Sequence, residues 1–133
     1  MTVLAPAPLA SFVDDYAMSP GRVAGGFVFL TGVTGVAPDG RLSPDPETQI
    51  RTAFEQVRLI LAEATLGMEA VVDVTSFHIG LQDHLATFKT VWAEQFRAPY
   101  PAWTAIEVAG FVTPGVVVEI KATAHADGAR AAP

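Results

Sequence analysis

Between Asp45 and Ala64 the apolar residues Ile50, Ala53, Phe54, Val57, Leu61 and Ala64 recur at three- and four-residue spacing, and Glu47, Arg51, Glu55 and Arg58 fall largely outside their stripe. That period predicts an amphipathic helix. Asp45 stands where it can cap the first turn, Pro46 suits the first helical position, and Gly67 lies just beyond the last turn. A second helix is predicted from Asp83, as its cap, to about Arg97, with Leu85, Phe88, Trp92 and Phe96 inward and Pro99 and Pro101 stopping it. The other patterned segments are short and β-prone: Phe27 to Thr31, bounded by Gly25, Gly26 and Gly32; Val71 to Ile79; about Ala102 to Val108; and Val116 to Ala124. Pro38-Asp39-Gly40 marks a turn. The stretch from Phe12 to Val23 has room for one more strand. The first ten residues and the last seven, Asp127 to Pro133, are rich in Ala and Pro and are expected to fray.

The predicted order is β–α–β–α–β–β, an α+β fold with a mixed β-sheet and two helices on one face. Two helices cover only one face of such a sheet. Yet Phe27 to Leu30 and Val116 to Val118 are apolar on both faces, as in strands buried on both sides. A second copy of the chain is the simplest cover, so the pattern predicts an oligomer without setting the number of subunits.

Composition narrows the picture. A chain of 133 residues forms one domain, 1–133, with its core at about 11–126 and frayed tails. Half of the residues are hydrophobic and only 17% are charged, which excludes wholesale disorder and leaves a thin polar coat. The formal charge is 8 − 14 = −6, with Lys and Arg scattered, so no nucleic-acid partner is expected. There is no cysteine, hence no disulfide, thiol nucleophile or Cys-type metal site. No apolar run is long enough for a membrane span, and Met1 to Ala10 has neither the basic nor the long apolar part of a signal peptide. A cytoplasmic protein is expected.

Chemistry is concentrated near the C-terminus. Pro101-Ala102-Trp103-Thr104-Ala105-Ile106-Glu107-Val108, followed by Val116-Val117-Val118-Glu119-Ile120-Lys121-Ala122, resembles the C-terminal signature of the RidA (YjgF) family, P-A-R-[ST]-x-[VI]-E-V and then V-E-I-x-A. Phe27 to Gly32 is similar to that family's L-x-F-[VL]-[ST]-G strand, Gln49 to Phe54 to its Q-[ITV]-R-x-[AT]-[FL] helix start, and Val71 to Thr75 to V-V-x-x-T. The resemblance covers roughly Met18 to Ala124. It implies a chorismate-mutase-like subunit, a homotrimer around a central barrel, and small-molecule pockets between subunits. It implies hydrolysis of enamines or imines, a deaminase activity that uses no cofactor and no metal.

The same resemblance assigns roles. Glu119 corresponds to the glutamate that positions or activates water. Trp103 stands where the family has the arginine that grips a substrate carboxylate. Thr31 and Gly32 match strand-end residues lining the pocket. Ala105 occupies a position where many members have cysteine, and Lys89 falls near one often held by asparagine. Of two residues near the family's pocket tyrosine, Tyr16 comes two positions early and Met18 has the expected spacing.

The residues themselves weigh in. A carboxylate inside an apolar strand has its pKa raised unless it is paired, which suits acid–base work on water. Without the resemblance, an exposed strand glutamate is the more ordinary reading of Glu119. Trp103 is as ordinary in a core or interface as in a stacking platform. Its single N–H cannot replace a bidentate guanidinium, so 2-aminoacrylate is not the expected substrate. If the last two strands form a hairpin around Phe111 to Thr113, Trp103 lies opposite about Glu119 to Lys121, in one pocket wall. Glu107 reads as structural, and His78 as a satisfied or interface histidine. His78, His84 and His125 show no metal-ligand spacing. Serines lie in no G-x-S-x-G elbow, and no glycine run precedes a phosphate-binding lysine. A non-catalytic ligand-binding or regulatory trimer is the alternative, and ribonuclease or translation-inhibitor activity, known among relatives, ranks third because of the acidic balance.

Overall fold

In chain order the elements are β1 (Val3–Leu4), α1 (Ala10–Tyr16), β2 (Gly21–Ala24), β3 (Phe27–Leu30), β4 (Val33–Thr34), α2 (Pro46–Ala62), β5 (Val71–His78), α3 (Leu81–Gln95), β6 (Ala102–Glu107) and β7 (Val118–His125), with single 3₁₀ turns at Ala7–Leu9 and Met68–Ala70. The computed structural model that defines them describes residues 3–127. The strands form one mixed sheet in the order β1-β2-β3-β7-β5-β6, and β4 continues beside β7 where β3 leaves it. Every pairing is antiparallel except β5 with β6, which α3 connects. This is the chorismate-mutase-like α+β arrangement that the resemblance implies, with α1 as a third helix.

The helices form for the reasons their sequences suggest. Asp45 caps α2, accepting from the Thr48 backbone N–H at 3.1 Å and the Thr48 hydroxyl at 2.8 Å. These bonds hold the Asp45 carboxyl below its usual range. The α2 stripe is buried at Ile50, Ala53, Phe54, Val57, Ile60 and Leu61. Gly67 does not end this helix. Thr65 takes the left-handed conformation, at φ 59°, and the Leu66 N–H closes back on Leu61 O. Nor does Asp83 cap α3. Gly80 holds the cap position at φ 71°, and the Glu107 carboxylate accepts from the exposed Leu81 N–H at 3.0 Å. Asp83 sits in the first turn instead, where a negative charge suits the helix dipole.

Two further expectations are corrected. The stretch Phe12 to Val23 is not one strand, because its first half continues α1 and only Gly21–Ala24 pairs in the sheet. The N-terminal residues from Val3 do not fray. β1 pairs with β2, and Leu4 and Leu9 are 2% and 1% exposed, so two leucines anchor a segment whose Ala and Pro content reads as coil. Of the C-terminal tail, residues 128–133 lie outside the described residues.

Registered residues share a sheet face. Val28, Val74, Val118, Ile120 and Ala122 therefore face α2 and α3, and all are buried. Phe27, Phe29 and Ile106 lie on the other face, 38%, 45% and 42% exposed. One face is a packed core, and the other is an apolar surface that this chain leaves uncovered.

Candidate functional site

The site begins at a break in the ladder beside β7. β3 pairs with β7 as far as Phe29 opposite Thr123, and pairing resumes with Val33 opposite Ile120. Thr31 and Gly32 lie in the gap between the two strands. The Thr31 N–H donates to Pro20 O at 2.9 Å, and its hydroxyl lies 3.5 Å from Met18 Sδ, so the break is held in place. Lys121 Nζ donates to the carbonyl of Leu30.

Gly32 lies directly against Glu119. A Cβ at position 32 would come 2.5 Å from Glu119 Oε2, so glycine leaves room for the Glu119 carboxylate in its present rotamer. Glu119 also lines a shallow recess of ≈ 510 Å³ with Phe77, Val108, Gly110, Phe111 and Val112. Burial raises its pKa, and the positive charge of Lys121, two residues on and on the same face, partly opposes the shift. The result is a half-buried carboxylate beside an ammonium, both on the uncovered face of the sheet.

Trp103 lies elsewhere. β6 and β7 form no hairpin, because β5 runs between them. Through β5, Trp103 registers with Val74 and Ala122, whereas Glu119 registers with Phe77 and Ile106. Positions 74 and 77 differ in parity, so Trp103 and Glu119 point to opposite faces. The expected shared wall within one chain is thus overturned. Trp103 instead stacks on Phe88 and Trp92, with ring centroids 5.3 Å and 4.7 Å away, and its Nε1–H donates to Ser76 Oγ at 2.8 Å.

Ser76 continues a buried chain. Its Oγ lies 2.7 Å from His78 Nε2, and His78 Nδ1 lies 3.0 Å from His84 Nε2. A neutral His78 has one N–H, so it donates in one of these bonds and accepts in the other. Burial, and then the neighbouring His84, lower the His78 pKa to about 4. Burial lowers that of His84 as well, against the pull of Asp83 and Glu107.

The structure therefore sorts the sequence-derived residues into two sets. Met18, Thr31, Gly32 and Glu119 are contiguous. Ala105 registers with Ser76 on the Trp103 side. Lys89 is exposed on α3, and Tyr16, at the end of α1, is 59% exposed. Sequence reasoning placed Lys121 on the Glu119 face by alternation but gave it no role, and it missed Phe77 and Phe111. Only pairing across the sheet and the return of the 108–112 loop bring those two to Glu119. Among the described residues no cluster of three His, Asp or Glu has the makings of a metal site, and no helix is long and apolar enough to cross a membrane.

The endoribonuclease L-PSP family matches residues 2–126. The RutC family protein YjgH of Escherichia coli K12 is 36% identical over 114 residues, 83% of this chain and 87% of that one. The solved structure of protein YjgH superposes with a TM-score of 0.84 at 34% identity, over 93% of this chain and 95% of the other. TdcF of E. coli K12, named provisionally as a reactive intermediate deaminase, is 32% identical over 104 residues, 75% of this chain and 79% of that one. The E. coli TdcF structure with bound serine matches at a TM-score of 0.72 and 28% identity, over 81% of this chain and 87% of that one. RidA from the Antarctic bacterium Psychrobacter sp. PAMC 21119 matches at 0.77 and 26% identity, over 94% and 96%.

Proposed function

The chain belongs to the endoribonuclease L-PSP family, the RidA/YjgF proteins, and on that premise we propose that it is an enamine or imine hydrolase whose pockets are completed between the subunits of a cytoplasmic homotrimer. Glu119 carries the proposal. A carboxylate with a raised pKa, held by Gly32 at the edge of an open recess, is suited to take a proton from water near neutral pH. The hydroxide adds to the imine carbon, and the carboxyl returns the proton to nitrogen. The carboxylate then takes the hydroxyl proton of this carbinolamine and passes it to nitrogen, the C–N bond breaks as C=O forms, and ammonia leaves with a carbonyl product and Glu119 ionised again. Lys121 holds positive charge beside the reacting group, where it favours a substrate bearing an anion.

Two observations support pockets between subunits. Phe27, Phe29 and Ile106 leave an apolar face open. The Glu119 recess opens on that same uncovered face, so a second copy seated there would complete its walls. Light scattering should give close to three times the 14.0 kDa subunit mass. Trp103 is uncharged and bonded inward, so 2-aminoacrylate is not the proposed substrate, and a net charge of −6 disfavours RNA.

The test is decay of imines generated in situ by amino acid oxidases, followed by semicarbazide capture. The protein should accelerate decay for some side chains, and Glu119→Gln should abolish the acceleration. The inward bonding of Trp103 favours a second reading, a ligand-binding trimer without turnover. Saturable carboxylate binding that perturbs the Glu119 recess, with no acceleration for any imine, would establish it.

A further inference from the structure

A second cleft, of ≈ 760 Å³, opens where α2 and α3 end, between the turn entering β5 and the proline-rich segment leading into β6. Its volume is in the range of small-molecule sites. It is remote from the Glu119 recess: it reaches Val71 at one end of β5, and Glu119 registers with Phe77, six residues or about 20 Å further along the strand.

Four charged residues line it: Arg58, Glu69, Glu94 and Arg97. They are not equally available. Arg51 takes both oxygens of Glu94, at 2.7 Å and 3.2 Å. Arg58 donates to Gln95 Oε1 at 2.8 Å and only approaches Glu55, at 3.8 Å. Arg97 has no hydrogen-bond or ion-pair partner among the described residues. Glu94 is matched by Arg51 and Arg58 is loosely paired with Glu55, so Arg97 is the cation left for an anionic ligand, with Arg58 in the same cleft and the carboxylate of Glu69 against them. Apart from Gln95, the larger side chains of the rest of the wall are apolar: Met68, Val71, Phe96, Pro99 and Pro101. The prolines fix φ along one side, so little order has to be gained on binding.

We propose that this cleft is a second ligand site, for a small monocarboxylate with an apolar body, gripped by the guanidiniums of Arg97 and Arg58. The planar fork of arginine matches a carboxylate. The carboxylate of Glu69 repels a dianion more than a monoanion, which favours a carboxylate over phosphate. The apolar wall takes the hydrocarbon part.

Amide-resolved NMR titration of the whole chain tests this, with hexanoate as probe and with hexanamide and inorganic phosphate as controls. Hexanoate should shift the amides of Gly67, Glu69, Val71 and Arg97 saturably, in the parent and in Glu119→Gln alike. Arg97→Gln should weaken binding tenfold or more, Arg97→Lys less, and Arg58→Gln together with Arg97→Gln should abolish it, with unchanged thermal melts. The proposal is overturned if hexanoate gives no saturable shift there, if hexanamide or phosphate binds as well, or if the folded Arg97→Gln variant binds like the parent. Because Glu119→Gln is silent here and decisive for imine turnover, the two sites fail independently.

Discussion

Trp103 and Glu119 stand on opposite faces of one sheet, because β5 lies between their strands and registers Trp103 with Val74 but Glu119 with Phe77. A tryptophan that stacks under α3 and a carboxylate that faces the uncovered side cannot cooperate within one chain. Their roles separate accordingly. Trp103 belongs to the packing of α3 on the sheet, and Glu119 to the open face.

Glu119→Gln is expected to stabilise the fold while removing activity. The folded-state pKa of Glu119 is raised, so the folded chain holds its proton more tightly than the unfolded chain, and ionisation at higher pH costs stability. The neutral isostere removes that cost. Urea unfolding at pH 7.5 should give a higher midpoint for the variant, and the difference should shrink as the pH falls toward 4.5. A lower midpoint at pH 7.5 would mean that ionised Glu119 is a net structural asset.

Gly32→Ala should displace the Glu119 carboxylate. The added methyl would come 2.5 Å from Oε2 and 3.2 Å from Cγ, too close to coexist with the present rotamer. The flexible end of the side chain can swing away, so the fold should survive. Imine turnover should fall at least tenfold with little change in the thermal melt. Unchanged turnover would show that the Glu119 position is not critical.

Lys121→Met should move the pH dependence of turnover upward. Lys121 is the influence that holds the Glu119 pKa down, against burial. Without it the carboxylate ionises at higher pH, so the acidic limb of kcat/KM shifts to higher pH. The bond to the Leu30 carbonyl is also lost, which is expected to cost about 1 kcal/mol. A pH profile that superposes on the parent's would sever Lys121 from the site.

Much of this architecture was legible in the sequence. The α2 stripe with its Asp45 cap and the strands at 27–30 and 71–78 stand in local periodicity, which a single chain displays directly. Strand neighbours are not local. Nothing in the spacing of Trp103 and Glu119 reveals that β5 inserts between β6 and β7, and a hairpin is the economical assumption for adjacent strands. The close approach of Gly32 to Glu119 spans 87 residues of chain, and only the resemblance placed the two in one pocket. The N-terminal anchoring was hidden because Leu4 and Leu9 are isolated apolar residues among Ala and Pro, with no period to read. Lys121 followed from alternation alone, yet a lysine on a strand is ordinarily a solvated one, and its contact with Leu30 appears only in three dimensions.

Trp103→Phe should destabilise the protein by at least about 1–3 kcal/mol, because it leaves the buried Ser76 hydroxyl without the indole donor, and the smaller phenyl ring also gives up some packing. Ser76→Ala should cost a similar amount by stripping both Trp103 and His78 of a partner. The double variant should cost clearly less than the sum, since the two residues share one bond. Strict additivity in urea unfolding would show that the Trp103–Ser76 contact contributes nothing.

His78 makes the fold sensitive to mild acid. Its ring is packed edge-on against Phe88, at 5.0 Å and 81°, with Ser76 on one nitrogen and His84 on the other. Among the described residues no anion contacts it directly; Asp83 and Glu107 act on His84. The folded pKa is lowered from 6.5 to about 4, so between those values the unfolded chain binds the proton that the folded chain refuses. Stability is therefore full above pH 6.5, declines as the pH falls toward 4, and loses nothing more from this group below that. His84, shifted in the same direction, adds to the decline. Together with solvent relaxation the loss from His78 is at most roughly 3 kcal/mol. Asp45 and Glu94 have lowered pKa values and act only in more acidic solution, and Glu119 acts in the opposite sense, so the comparison is best made in the Glu119→Gln background. Urea unfolding at pH 7.5 and pH 5.0 should show the loss there, and adding His78→Gln should reduce it to the part that His84 contributes. Equal stability at the two pH values in the background carrying His78 would show that the buried pair accepts protons as readily as the unfolded chain.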